Sequence, residues 1–203
     1  DGQFNLLKSS AKATDVNVDT TKAASTRYPD GKNNMNYVGL FLQHQWTITP
    51  KVILSDGIRY NYVGLKSSFE SQQFYQFPFS STTQHHHSAC GNLGFTFLPA
   101  KGLKIAALVS TGFRAPNVDD LAKIFETDAT AGTVIVPNEK LKPEYTVNTE
   151  LTFGYTFNQY FRVEATGFYT RFFNAIVTDK FTYNGADTIV LDGKTGTVYA
   201  NQN

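Results

Sequence analysis

Polar and apolar residues alternate through most of this chain, in runs of about ten residues. In residues 37–46, Val38, Leu40, Leu42 and Trp46 point one way, and Gly39, Gln43 and Gln45 point the other. Residues 52–63 set Val52, Leu54, Ile58, Tyr60 and Tyr62 against Ser55, Gly57, Arg59 and Asn61. In 89–98, Leu93, Phe95 and Phe97 oppose Asn92, Gly94 and Thr96; in 103–111, Leu103, Ile105, Ala107 and Val109 oppose Lys104, Ala106 and Ser110. The cleanest run is 145–157, where every odd position from Val147 to Phe157 opposes Asn148, Glu150, Thr152, Gly154 and Thr156. Residues 161–170 put Phe161, Val163, Ala165 and Tyr169 opposite Arg162, Glu164, Thr166 and Thr170. The pattern then loosens through Phe172 and Ile176 into turns at Asn184-Gly185, Asp192-Gly193 and Thr195-Gly196. Period-two alternation predicts strands with two unlike faces, and all seven prolines fall between the runs, where strand interiors do not exclude them.

The connections alternate too. Those at 47–51, 99–102 and 158–160 are short; those at 10–35, 66–88 and 112–144 are long. In an up-and-down antiparallel sheet this places every short turn on one side, as in outer-membrane barrels with periplasmic turns and extracellular loops. A strand of about ten residues, tilted by about 40°, spans the apolar band of roughly 25 Å. Trp46, Phe97, Phe157 and Phe161 sit beside the short turns, and Tyr60, Tyr62, Phe113, Tyr145 and Tyr169 near the long loops, like two aromatic girdles. Within the second long connection, Asn117 predicts the cap of a short helix with Asp119 and Asp120 in its first turn. Asp56 breaks the scheme, because it shares a face with Val52, Leu54 and Ile58; a bulge there or cover from a larger assembly would resolve it.

Composition narrows the classes. The chain has 203 residues, with 14% aromatics and only 17% charged residues, 24 Thr and 15 Asn, and a mean hydropathy of −0.29. Disordered chains lack such aromatics, and no apolar run of about 18 residues predicts a membrane helix. A net charge of +1 offers no field for nucleic acid, and one cysteine supports neither a disulfide framework nor a Cys-rich metal site. A soluble barrel would fill its interior with the apolar face. Here the polar face is mostly Thr, Asn and Gly rather than Lys and Glu, which favours a wet lumen and a lipid-facing band.

Two boxes then carry a resemblance. Gly112-Phe113-Arg114-Ala115-Pro116 ends one strand, and Asn138, Leu141-Lys142-Pro143-Glu144 opens the next, with Glu150 a few residues on. Gly57–Asn61 and Gly167–Thr170 read like strands of the same kind. In order and spacing this resembles the TonB-dependent outer-membrane receptors, over about residues 35–180. The resemblance implies an all-β, antiparallel, up-and-down transmembrane barrel segment of about eight strands, taken from a 22-stranded barrel. It implies location in the cell outer membrane of Gram-negative type and uptake of a scarce ligand such as a ferric siderophore, haem, cobalamin or a glycan. It also implies the outer-membrane bilayer, a plug domain and TonB as partners, and no resident cofactor. Residues 1–203 read as one partial barrel domain, in which neither a plug nor a TonB box is seen. Two other readings stay open: a small autonomous eight-stranded outer-membrane barrel acting as an adhesin or structural protein, and a soluble β-sandwich binding module.

Candidate chemistry is sparse. No G-x-S-x-G or H-E-x-x-H occurs, and the Asp119-Asp120 pair diverges on a helix, so no enzyme is expected. Gly112, Phe113, Arg114, Ala115, Pro116, Asn138, Leu141, Lys142, Pro143 and Glu144 are expected to be structural, with Arg114 paired to a lumen carboxylate such as Glu150. Arg59, Lys104, Glu150, Arg162 and Glu164 are expected to line the lumen, as a charge ladder holding a plug or as a solvated wall. His85, His86 and His87 are placed in a long polar loop as candidates for ligand contact. No metal site is assigned to them, because three adjacent residues do not face one ion. Cys90 reads as a lone thiol on the lumen side, and His44 as an interface residue.

Overall fold

The computed structural model describes residues 1–24, 31–69, 79–122, 125–128, 132–158, 160–191 and 194–203. In chain order the elements are β1 (Gly2–Ser9), β2 (Ala11–Asp15), β3 (Thr20–Ala24), β4 (Gly31–Thr49), β5 (Val52–Phe69), β6 (Ser81–Phe97) and β7 (Leu103–Arg114). A short helix α1 (Val118–Ala122) follows, then β8 (Phe125–Asp128), β9 (Thr133–Val136), β10 (Glu144–Phe157), β11 (Phe161–Phe173), β12 (Val177–Lys180), β13 (Thr188–Leu191) and β14 (Lys194–Gln202). The main sheet has seven strands in the order β1-β4-β5-β6-β7-β10-β11, all antiparallel, with β1 and β11 as open edges.

The strand register records a tilt. One row of paired residues runs Thr49, Val52, Phe97, Ile105, Phe153, Ala165 across six strands. The first short turn closes at that row. The second closes beside Leu103, two residues below it on β7, and the third beside Phe157, four below it on β10. The turn line therefore slips one residue per strand. With a rise of about 3.3 Å per residue and a strand spacing of about 4.8 Å, that slip is a tilt of about 35°, within the range of outer-membrane barrels.

The two faces differ as the alternation predicts. Leu40, Leu42, Ile58, Leu93, Val109 and Leu151 share one face and expose between 46% and 70% of their surface. A continuous apolar band this exposed is foreign to a soluble surface and suited to lipid. Among the described residues no second layer covers it, which removes the β-sandwich reading. Among the described residues the opposite, inner face is covered only at the loop end. There Met35, Val63 and Leu65 of β4 and β5 pack with Ala115, Leu121 and Leu141, so the connection after β7 folds inward over the sheet. A second sheet stands at the same end, in the order β12-β14-β9-β8 with β13 on β14; its β9–β14 contact is parallel, and its core is Val134, Val136, Val198 and Ala200.

Several expectations are corrected here. The stretch 66–88 is not one loop, because β5 runs to Phe69 and β6 starts at Ser81, placing His85, His86 and His87 on a strand. The stretch 10–35 contains the hairpin β2–β3 and the start of β4. After β11 the chain joins the second sheet instead of completing an eighth strand of the main one, and Thr195-Gly196 lies inside β14 rather than in a turn. Asn184-Gly185 is a turn, with both residues at positive φ (51° and 82°), as a two-residue hairpin loop requires. The Asp192-Gly193 turn, Pro29 and Pro78 lie outside the described residues. No bulge occurs at Asp56: the β4–β5 register shifts only between Thr47 and Thr49. Asp56 stays on the apolar face, and its Oδ1 lies 3.0 Å from Nδ1 of His44, directly across the ladder.

Candidate functional site

The loop-side rim of the inner face is organised by one arginine. Arg114 is the last residue of β7 and pairs in register with Glu144, the first of β10. Its Nε donates to the Glu144 carboxylate, and its Nη1 donates to Oδ2 of Asp120 at 2.7 Å. Asp120 is doubly used. Its amide donates to Oδ1 of Asn117 at 3.0 Å, and the Asn117 amide donates back to Asp120 Oδ2 at 3.0 Å, a reciprocal cap on α1. Glu144 Oε1 also accepts from the Ile176 amide at 2.7 Å. Both carboxylates are about 15–16% exposed while the Arg114 side chain is 46% exposed, so the cluster ties β7, α1, β10 and the segment after β11 at a half-buried place. Glu144 stands 13 residues above the short turn at Phe157, beyond a band spanned by about ten. Burial pushes its carboxyl upward, but the hydrogen bonds from Arg114 and Ile176 and the guanidinium charge outweigh burial and hold it below the usual carboxylate range. The expected partner Glu150 is not used. It lies six residues along β10 from Glu144, roughly 20 Å from that rim, and accepts instead from Asn148 Nδ2 at 2.6 Å.

The second box is tied to the end of the chain. Asn138 Nδ2 donates to the Asn201 carbonyl at 2.8 Å, and its amide donates to the Leu121 carbonyl at 3.1 Å. Lys142 exchanges two bonds with Asn203: its amide donates to Asn203 Oδ1 at 3.1 Å, and its carbonyl accepts from Asn203 Nδ2 at 2.6 Å. Leu141 is 4% exposed in the inner core. Gly112 is a close approach, because a Cβ there would stand 2.5 Å from Thr146 Oγ1.

Below this cap lies a cleft of about 590 Å³ on the inner face, lined by Tyr37, Gly39, Arg59, Asn61, Arg114 and Asn117 among others. Arg59 lies across Gly39, donates from Nε to Asn61 Oδ1 at 2.6 Å, and stands 5.9 Å from the Phe41 ring. Near the short turns, Lys104 lies 3.6 Å from Glu164, which Arg162 also contacts. Three of the predicted lumen charges are thus brought together, while Arg59 and Glu150 stand apart from them. Cys90 is a free thiol on the inner side, accepting from Asn61 Nδ2 at 3.8 Å.

The histidines divide between the faces. His86 points inward, with Nε2 2.8 Å from Gln84 Oε1, while His85 and His87 share the outward face with Tyr60 and Tyr62. Among the described residues no group of three or more His, Cys, Asp or Glu converges on a metal-sized point. The sequence reading did not single out Asn201, Asn203 or the inward aromatics Phe41 and Phe168, which are 65% and 75% exposed. The parity of 161–170 marks Phe168 as inward, whereas nothing local marks Asn201 as a partner of Asn138.

A family model for the TonB-dependent receptor-like β-barrel matches residues 2–203. Among solved structures, the copper transporter OprC matches with a TM-score of 0.65 and 17% identity, over 94% of this chain and 27% of that one. A double mutant of the Serratia marcescens hemophore receptor HasR, in complex with its hemophore HasA and haem, matches with a TM-score of 0.67 and 13% identity, over 100% of this chain and 36% of that one. The chain therefore spans about a third of the length of these structures. No curated protein matches it by sequence.

Proposed function

The chain belongs to the TonB-dependent receptor β-barrel family, whose members are outer-membrane receptors and transporters rather than enzymes, and on that premise we propose that it forms part of the wall of an active-uptake receptor. The observation that carries this reading is the division of one sheet into an exposed apolar band outside and a polar inner wall, capped at the loop end. In this reading the described loop-side segments 10–24, 115–122, 132–143 and 174–191 belong to the surface that captures the ligand from outside. Arg59, Asn61 and Tyr37 meet it in the inner cleft. Lys104, Arg162 and Glu164 hold a plug domain through ion pairs that yield when TonB pulls, and no bond in the ligand is made or broken. The likeness to a copper transporter and a haem-hemophore receptor favours a metal or metal chelate over a glycan as cargo.

Two measurements on the full-length receptor test this. Fractionation of a Gram-negative host should place it in the outer membrane, and uptake of its cargo should vanish in a TonB-deficient strain. Recovery in the soluble fraction, or uptake indifferent to TonB, would overturn the reading.

A further inference from the structure

The correction that puts the histidine run on a strand also puts two imidazoles side by side. His85 and His87 lie two residues apart on the outward face of β6, opposite Gly64 and Tyr62 of β5. Tyr62 lies ten residues above the short turn at Val52, which is about 27 Å along the tilted strand's vertical, so the pair sits at or just above the outer edge of the apolar band. Each ring is held at one nitrogen. Tyr60 Oη lies 2.6 Å from His87 Nδ1, and Tyr62 Oη lies 2.7 Å from His85 Nδ1. Tyr62 reaches His85 by leaning across Gly64, where a Cβ would stand 2.9 Å from its hydroxyl. The rings of Tyr62 and His85 are stacked, 6.0 Å apart and 16° from parallel.

We infer that His85 and His87 form a two-imidazole chelating site for a borderline-soft divalent cation, Cu²⁺, Ni²⁺ or Zn²⁺, on the outer rim of the barrel. Same-face residues two apart on a strand stand about 6.6 Å apart, a span that two imidazoles close around one ion with metal–nitrogen bonds of about 2.0–2.1 Å. Imidazole suits these cations and not Mg²⁺ or Ca²⁺. The tyrosines play the part that hydrogen-bond partners play at other histidine-metal sites: with Nδ1–H donating to the phenol oxygen, the Nε2 lone pair is left for the ion. Both imidazoles are exposed, and among the described residues neither Nε2 has a hydrogen-bond partner. Water completes the coordination.

The test uses the full-length receptor in detergent, carrying no histidine tag, titrated with CuCl₂ and read by electron paramagnetic resonance and calorimetry. One Cu²⁺ with imidazole nitrogen couplings is expected. H85A and H87A should each weaken it about tenfold or more, and Y62F should weaken it by a smaller factor. H86A, on the opposite face, should leave it unchanged. Heat-modifiable migration of each variant shows that the barrel still folds. Unaltered Cu²⁺ binding in the H85A/H87A double variant, or equal loss in H86A, would overturn the assignment. The readout is metal binding, so it stands apart from whether the receptor imports anything.

Discussion

His44 and Asp56 are the residues least at home in their surroundings. They face the apolar band, one strand apart, with Leu42, Trp46, Ile58 and Leu93 around them. A carboxylate in that band costs energy when alone, and an imidazole partner at 3.0 Å offsets part of it. Removing one member should therefore be worse than removing both. In the full-length receptor, H44L should cost about 1–3 kcal/mol by leaving Asp56 unpaired in lipid, and the H44L/D56L double variant should recover most of it. Denaturant unfolding from lipid vesicles measures this. Equal losses in the single and double variants would mean that the pair meets water rather than lipid.

At the scale of the element, facing is the strongest claim, and β7 isolates it. Val109 is exposed on the apolar side, and Ser110 follows it on the inner side. V109R should cost roughly 2–4 kcal/mol in a bilayer and S110R much less; equal costs would refute the facing. The inward connection after β7 gives a second test. Its anchor Glu144 has a lowered carboxyl pKa, so its contribution is complete above the ordinary carboxylate value of about 4.3 and is lost as pH falls through the folded value. A spin label at K140C, in a C90S background, should be restrained at neutral pH and should loosen below about pH 4. E144Q should be loose throughout. These elements were unequally legible. Within the band one face is wet and the other in lipid, so sequence alternates and the strands could be read directly. Above the band the inward face is still covered, but by polar residues such as Thr82 and Ser88 as well as apolar ones, so the hydropathy alternation fades, and residues 81–88 looked like a loop although they continue β6. The reciprocal cap of Asn117 and Asp120 is local and was half visible. The partner of Arg114 was missed: Glu144 and Glu150 share one parity, and it is the antiparallel register, setting the last residue of β7 against the first of β10, that chooses Glu144. The pairing of β9 with β14 joins residues some 64 positions apart, Thr133 with Thr197, and no local pattern announces it.

At the scale of the molecule, the open edges set the physics. Among the described residues the main sheet does not close on itself, and β1 and β11 leave their outer backbone groups without a partner strand. In lipid each such group costs several kcal/mol, because no water can replace the missing bond. Among the described residues β1 and β11 do not pair with each other. The 203-residue chain refolded by itself in detergent should therefore pair edge to edge with other copies, eluting as large species without a heat-modifiable monomer. Within the full-length receptor the same strands should migrate as one compact, heat-modifiable barrel. A monodisperse, heat-modifiable monomer of the isolated chain would mean that β11 can close on β1. That result would restore the small autonomous barrel as the better account.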